Sequence, residues 1–246
     1  MTIKQYNNNT AIELINLFKE YILHHEKPTL IENFFRPKKN EKISALKEIN
    51  LTIKKGEKVA VIGDNGSGKT TLLKIITGIT SPTTGEVITS GKVAALIDLE
   101  AGFHPELTGE ENIYLNGMLL GMSKKELKKR FDRIIDFSGI KEFIDVPLYT
   151  YSNGMILRLG FSIAAYSDPD ILLLDEVLAV GDRSFKEKSF TKIQEFFKKG
   201  KTIVYISHYM EGVLQLCPKT IWLENGKIKM TGESKKVIKA YQKQKK

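Results

Sequence analysis

The sequence predicts an α/β fold in which a parallel sheet carries a helical insertion. Short apolar strand patterns alternate with helical patterns near both ends of the chain, whereas residues 103–170 have the pattern of helices alone. Strands that alternate with helices form parallel sheets, because each helix returns the chain across the sheet. The 246 residues suffice for one large core, so we expect a single domain over residues 1–246.

Five strand patterns precede or border the helical region. They cover residues 11–18, 49–53, 58–63, 86–90 and 93–98. A polar, basic stretch with two prolines separates the first two strands, and we interpret it as an insertion over about residues 22–42. Residues 72–78 are predicted to form a helix that Gly78 closes.

The helical region and the elements after it have clear boundary signals. Thr108 with Glu111, and Ser123 with Glu126, each fit a capping box that opens a helix. The later elements predicted are a strand at 171–175, a helix from about 182 to 199, a strand at 202–207 and one more helix. The pair Asn225-Gly226 between two alternating runs predicts a hairpin with a type I′ turn.

Charge and cysteine content limit the classes of protein to consider. The net charge is +9, and residues 227–246 contain eight lysines and a single acid, Glu233. We interpret this basic tail as a solvated helix end, with contact to anionic lipid or nucleic acid as the alternative. The single cysteine, Cys217, excludes an internal disulfide and predicts a small buried residue. The N-terminus lacks the apolar core of a signal peptide, and no apolar run reaches about 18 residues, so a membrane partner would have to be another chain.

The clearest functional motif is GDNGSGKT at residues 63–70, which matches the phosphate-binding pattern G-x-x-x-x-G-K-[ST] between a strand and a helix. Backbone N–H groups of such a loop surround the β-phosphate of a nucleotide, Lys69 reaches the β- and γ-phosphates, and Thr70 can hold Mg²⁺. The nucleotide-binding residues predicted here are Gly63, Asp64, Asn65, Gly66, Ser67, Gly68, Lys69, Thr70 and Thr71.

Polar residues follow the later strands where those strands are expected to end beside this loop. Asp175 and Glu176 come directly after an apolar strand, and we expect Asp175 to hold Mg²⁺ through its water shell and Glu176 to polarise the attacking water. The alternative is that the acid pair caps the next helix. Asp182 and His208 lie in loops that leave the carboxyl edge of the sheet, which is the usual ligand side. A single histidine at a strand end is more often structural, but its position after a core strand favours a γ-phosphate contact.

The stretch YSNGM at residues 151–155 precedes an apolar helix whose first turn has no acid. Ser152 fits an ordinary N-cap, with Asn153-Gly154 bending the chain into the helix. A helix N-terminus without carboxylates is also a site for an anion. The phosphate-binding loop predicts that the chain handles an anion elsewhere, but on its own residues this stretch more often forms an ordinary cap, so both interpretations stay open at this point.

Together these residues resemble the nucleotide-binding subunit of ABC transporters over nearly the whole chain. The resemblance implies a P-loop NTPase core with an antiparallel β subdomain, a helical subdomain at about residues 103–170, and ATP with Mg²⁺ as ligands. It implies that Tyr21 stacks on adenine, that Asp182 belongs to the D-loop, and that His208 is the switch histidine, catalytic together with Lys69 and Glu176. It also implies a homodimer in which the signature residues Ser152, Asn153 and Gly154 contact ATP held by the other copy.

Two departures from the family pattern stand out. The signature LSGGQ is YSNGM here, and Asn153 can still occupy a left-handed turn where glycine is usual, so we expect the backbone donors to survive although Met155 replaces the glutamine. Where a glutamine normally joins the core to the helical insertion, this chain has Leu99 between Asp98 and Glu100. The group that replaces the glutamine is left open.

Four features are similar to one branch in particular, the ATPases of exporters of lipid-linked O-antigen, capsule or teichoic acid. They are AGFHPELTGEENIYLNG, YSNGM, DEVLAVGD and the long insertion after Tyr21. The resemblance implies a multi-spanning permease partner that handles the lipid-linked glycan, and a peripheral location on the cytoplasmic face of the cell membrane. We expect the short form, without the C-terminal carbohydrate-binding domain of some members.

Two other functions compete with transport. A soluble ABC ATPase that remodels nucleic acid or assembles clusters would use the basic tail as its binding patch. The chain lacks the second cassette and the long coiled-coil insertion expected for that class, and we expect no nucleic-acid partner. A plain P-loop kinase would leave YSNGM and His208 without a role.

Overall fold

The computed structural model describes residues 8–23, 41–97, 99–175 and 181–245. Its strands are β1 (Thr10–Leu23), β2 (Glu41–Lys54), β3 (Lys58–Ile62), β4 (Thr84–Thr89), β5 (Val93–Leu96), β6 (Ile171–Leu174), β7 (Thr202–Ile206), β8 (Lys219–Glu224) and β9 (Lys227–Glu233). Its α-helices are α1 (Lys69–Ile76), α2 (Gly109–Leu119), α3 (Lys124–Ser138), α4 (Asn153–Tyr166), α5 (Arg183–Lys198), α6 (Met210–Leu216) and α7 (Ser234–Gln244).

Two sheets form the core, and they confirm the predicted α/β class. Six strands form one sheet in the order β5-β6-β7-β3-β8-β9, in which all neighbours are parallel except β8 and β9. Strands β2, β1 and β4 form a second, antiparallel sheet. The central strands β3, β6 and β7 are apolar on both faces, as is typical of parallel strands covered on both sides.

Separate apolar clusters form on the two faces of the parallel sheet. One cluster joins the sheet to α1 and the antiparallel sheet, and includes the fully buried Leu72 and Leu73. The other joins the sheet to α4, α5 and α7 and includes Phe161 and Cys217. Cys217 is 1% exposed, which confirms the prediction of a small buried residue, and this burial raises the pKa of its thiol to about 12.

The helices α2, α3 and α4 follow each other between β5 and β6 and enclose an apolar cluster of their own. Both predicted capping boxes are present: Thr108 with Glu111 opens α2, and Ser123 with Glu126 opens α3. Helix α4 approaches the chain after β5 closely, because a Cβ atom on Gly160 would lie 2.2 Å from the Leu99 carbonyl oxygen.

Strands β1 and β2 are longer than their apolar patterns predicted. The β1 strand was expected over residues 11–18, yet its pairing with β2 continues to Leu23 opposite Glu41. The insertion was predicted over about residues 22–42, and its two ends, residues 22–23 and 41–42, belong to these strands. Its middle, residues 24–40, lies outside the described part of the chain. Backbone hydrogen bonds can extend an antiparallel pair where side-chain alternation has ended.

The C-terminal segment forms β9 and α7. Asn225 and Gly226 both have positive φ, 50° and 79°, which confirms the type I′ hairpin. Within the described ranges, no helix combines the length and apolarity needed to cross a membrane.

Candidate functional site

A cleft of about 490 Å³ opens where β3, β6 and β7 end, at the carboxyl edge of the parallel sheet. Ligands bind at this edge in open α/β sheets. The lining residues are Tyr21, Ile43, Ser44, Ala45, Asn65, Gly66, Gly68, Lys69, Thr70, Thr71, Asp175, Ile206 and His208. The cleft thus gathers residues that the sequence predicted for nucleotide, metal and γ-phosphate contacts, although they lie far apart in the chain.

The backbone of the loop between β3 and α1 lies so close to neighbouring backbone atoms that two of its positions require glycine. Gly63 has φ of 152°, and a Cβ atom there would lie 2.2 Å from the Leu223 carbonyl oxygen. Gly68 has φ of 103°, and a Cβ atom there would lie 2.5 Å from the Ala45 carbonyl oxygen. Both the left-handed backbone and the close backbone neighbours exclude a side chain.

The cleft carries positive charge at the start of α1. Lys69 is only 7% exposed, and its Nζ donates hydrogen bonds of 2.9 Å to the carbonyl oxygens of Gly63 and Asp64. The first turn of α1 has no acid, and Gly68 offers no capping side chain to its N–H groups. Backbone donors without a side-chain cap, the helix dipole and a buried ammonium make this end of the helix an anion site.

Three residues of the predicted loop do not line the cleft. Gly63 holds the backbone turn described above. Ser67 is 4% exposed, and its hydroxyl has no hydrogen-bond partner in the described part of the chain. The Asp64 carboxylate is directed away from the cleft and contacts Tyr241 of α7 and Lys245, the residue just after that helix.

The donors near the phosphate-binding loop fit Mg²⁺ held jointly with phosphate. Thr70 supplies a hydroxyl and Asp175 a carboxylate to the same cleft. Among the described residues no cluster of three or more His, Cys, Asp or Glu side chains forms a metal site of its own. Mg²⁺ at nucleotide sites takes one or two protein oxygens and completes its shell with phosphates and water, so this donor set suits it.

Of the two residues predicted to act on the γ-phosphate and the attacking water, His208 is described by the structure and Glu176 is not. His208 follows β7 and is an exposed residue in the wall of the cleft. Glu176 lies outside the described residues, so its predicted role stays a prediction.

Tyr21 lies inside β1, opposite Ile43 of β2, and both residues line the cleft. The side chain is 37% exposed, and Lys19 Nζ lies 4.9 Å from the ring centroid. An exposed aromatic face beside a phosphate-binding loop suits a nucleotide base.

Replacing Tyr21 with Ala should weaken ATP binding by roughly 1 to 3 kcal/mol, the usual contribution of base stacking on an aromatic ring. Phe should restore binding, because the ring provides the stacking surface without the hydroxyl. Equilibrium titration with ATP measures both variants. Parent-like affinity of Tyr21→Ala would place the adenine elsewhere and leave Tyr21 an ordinary rim aromatic.

The signature residues lie apart from this cleft, at the start of α4. Ser152 is the N-cap, and its hydroxyl accepts a hydrogen bond of 3.3 Å from the Met155 N–H. Asn153 is the first residue of the helix and is not among the described residues with positive φ. The expected left-handed turn at Asn153 is therefore wrong, because the Ser152 cap lets the helix begin one residue earlier than such a turn allows.

Among the described residues, nothing requires position 154 to be glycine. Its backbone is not left-handed, and the nearest atom to a Cβ built there is the Ser152 hydroxyl oxygen at 3.9 Å. The first turn of α4 also has no acid. A small residue at an exposed helix start, with the Asn153 and Gly154 N–H groups showing no acceptor among the described residues, permits the close approach of an anion from outside the chain.

Asp182 joins the start of α5 to helix α4, outside the cleft. Its side chain accepts a hydrogen bond of 2.9 Å from the Phe185 N–H and caps α5. Arg158 of α4 lies 3.7 Å from the same carboxylate. Neither Asp182 nor the signature residues line the cleft in the described part of the chain.

Sequence reasoning missed the cleft residues contributed by β2, which are Ile43, Ser44 and Ala45. These residues enter the cleft because Ile43 pairs with Tyr21. The sequence did not predict this pairing, since the apolar pattern of the second strand began only at residue 49. Ile206 was missed as well, although it ends a strand that the sequence predicted.

Comparison with known proteins points to one family. The ABC transporter family matches residues 46–179. The O-antigen export system ATP-binding protein RfbB of Klebsiella pneumoniae is 47% identical over 94% of this chain and 97% of its own length. The teichoic acids export ATP-binding protein TagH of Listeria innocua is 42% identical over 95% of this chain and 70% of its own length.

Solved structures of ATP-binding cassettes have the same fold. The dimeric, post-hydrolysis structure of the cassette MJ0796 bound to ADP and Pi gives a TM-score of 0.68 at 26% identity, covering 91% of this chain and 98% of the cassette. Another dimeric structure of MJ0796 gives a TM-score of 0.66 at 27% identity, with the same coverage.

Proposed function

This chain belongs to the ABC transporter family of ATPases, and from that premise we propose that it powers export of a lipid-linked polysaccharide through a separate transmembrane partner. The main observation in favour of ATP hydrolysis is the cleft, in which Lys69 and Thr70 lie together with Asp175 and His208. Polysaccharide as the exported substrate is supported by similarity over nearly the whole chain to ATP-binding proteins of O-antigen and teichoic acid export systems.

We assign nucleotide binding to the loop at residues 63–71 and to Tyr21. The N–H groups at the start of α1 surround the phosphates, and Lys69 exchanges its contacts with the loop carbonyls for contacts with the β- and γ-phosphates. Tyr21 stacks on the adenine. Burial of Lys69 strengthens its attraction to phosphate, because little water remains to screen the charge.

Thr70 and Asp175 would hold Mg²⁺, Thr70 by its hydroxyl and Asp175 through the metal's water shell. When bound, Mg²⁺ supplies neutralising charge to the phosphates. The remaining steps belong to side chains of the chain itself. Glu176 orients the attacking water and accepts its proton, and His208 contacts the γ-phosphate from the end of β7.

The signature residues Ser152, Asn153 and Gly154, together with Asp182, serve ATP held by a second copy. Support comes from their separation from the cleft of their own chain and from the acid-free start of α4. The open surface at Gly154 also leaves room for a ligand held by another copy. The similar cassettes were solved as dimers. Two copies would close on two ATP molecules and open after hydrolysis.

The chain acts as one ATPase domain, with about residues 103–170 as its helical subdomain, at the cytoplasmic face of the cell membrane. A multi-spanning permease carries the lipid-linked glycan, and closure of the dimer drives the permease. The domain division and the partner follow from the family premise.

A vesicle assay tests this function. The tagged chain should copurify with a multi-spanning membrane protein, and lipid-linked glycan should stimulate ATP hydrolysis by the complex in phospholipid vesicles. Lys69→Ala is the control, since it should copurify equally and respond to no glycan. A chain that copurifies with no membrane protein and hydrolyses ATP faster with DNA or RNA would instead be a nucleic-acid remodelling ATPase.

A further inference from the structure

Helix α7 packs one face against the parallel sheet, while the lysines at its end are exposed. Its buried residues include Val237, Ile238 and Tyr241, which are 0%, 3% and 4% exposed. The Tyr241 ring meets Trp222 of β8 edge to face, with centroids 5.3 Å apart. The helix is therefore fixed against the sheet, and the position of the Tyr241 hydroxyl is fixed with it.

The end of α7 contacts the phosphate-binding loop through one carboxylate. The Tyr241 hydroxyl donates a hydrogen bond of 2.7 Å to Asp64 Oδ1, and Lys245 Nζ lies 2.6 Å from the same oxygen. Lys245 and the Tyr241 hydroxyl hold the pKa of the Asp64 carboxyl below its ordinary value. The Asp64 carboxylate in turn raises the pKa of the Lys245 ammonium.

Asp64 is directly connected to the nucleotide site by its backbone. Its carbonyl oxygen accepts a hydrogen bond from the buried Lys69 Nζ, and its neighbour Asn65 lines the cleft, whereas the Asp64 side chain does not. The β8–β9 turn supports the same loop, because the Gly226 N–H donates a hydrogen bond of 3.1 Å to the Ser67 carbonyl oxygen.

A carboxylate at the second position of a phosphate-binding loop opposes nucleotide binding, because it repels the triphosphate. We propose that Tyr241 and Lys245 are positioning residues for ATP binding, which draw the Asp64 carboxylate away from the cleft and neutralise it. The proposal rests on the ATP-binding function above. Tyr241 provides the fixed contact, while Lys245, 53% exposed, provides a charge that salt can screen.

A double-mutant cycle tests the proposal. Tyr241→Phe keeps the ring on Trp222 and removes only the hydroxyl, so the fold should be unaffected and the thermal unfolding midpoint should match the parent. We expect ATP affinity to fall about 3- to 10-fold, as for the loss of one hydrogen bond, with KM raised and kcat unchanged. In an Asp64→Ala background, Tyr241→Phe should have no effect on affinity.

A second pair of variants examines the charge. Lys245→Ala should weaken ATP binding at low salt, with a penalty that shrinks as salt rises. Lys243→Ala, which removes the same charge from an exposed residue without an ion pair among the described side chains, is the matched control and should bind ATP as the parent does.

Two results would overturn the proposal: unchanged ATP affinity in Tyr241→Phe, or an equal loss with and without Asp64. A parent chain that binds no ATP would instead overturn the proposed function itself, so the two failures are distinguishable.

Discussion

Replacing Glu176 with Gln should leave ATP binding intact and lower hydrolysis by ~10² to 10⁴, the usual contribution of a positioned general base. The amide keeps the size of the side chain but cannot accept the proton of the attacking water. The phosphate-binding loop and Tyr21 are untouched, so affinity should equal that of the parent. Because a closed dimer opens only after hydrolysis, the variant should also accumulate as an ATP-bound dimer.

Single-turnover hydrolysis, equilibrium ATP binding and size-exclusion chromatography with ATP measure these three properties. Glu187→Gln is the matched control, because Glu187 is an exposed residue of α5 that pairs with Arg183 at 3.3 Å. It should hydrolyse ATP at the parent rate. Parent-like turnover in Glu176→Gln would remove Glu176 from catalysis and transfer the base to another group.

The phosphate-binding loop was predictable because its information is local. Gly63, Gly68, Lys69 and Thr70 lie within eight consecutive residues, and the strand before them and the helix after them have clear patterns. The capping boxes at Thr108 and Ser123 were predictable for the same reason, since each involves residues three apart.

Features that depend on pairing between distant segments were less accessible. Residues 19–23 of β1 lack strong apolar alternation, and only pairing with β2 keeps them in a strand. The position of Tyr21 inside the strand, and the presence of β2 residues in the cleft wall, depend on that pairing. The hydrogen bond between Tyr241 and Asp64 joins positions 177 residues apart. The sequence around neither residue contains a pattern that predicts this contact.

Two predictions on the signature stretch had different outcomes for one physical reason. Ser152 is an N-cap, as its residue type predicted. Asn153 was assigned a left-handed conformation by comparison with glycine in the family pattern, but a residue directly after an N-cap already belongs to the helix. The Ser152 cap thus determines the backbone conformation of Asn153. The family pattern predicts only which surface residues could contact a ligand.

Ser152→Asp should abolish ATP-driven dimerisation and hydrolysis while each chain still binds ATP. Aspartate caps a helix as well as serine does, so the start of α4 should persist, but its charge would repel the γ-phosphate across the dimer. Ser152→Asn is the matched control, since it caps the helix without adding charge. Lys69→Ala should show the opposite profile, with weak ATP binding and an intact α4 surface.

The measurement that tests the composite site most directly is a mixture of Ser152→Asp and Lys69→Ala chains. In a mixed dimer one site receives both lesions and the other receives neither. If single sites fire independently, hydrolysis should return to about a quarter of the parent rate, because about half of the dimers are mixed and each has one intact site of two. If both sites must act together, ATP-dependent pairing should return without hydrolysis. A mixture that neither hydrolyses nor pairs beyond the separate variants would contradict the account and leave Ser152 an ordinary helix cap.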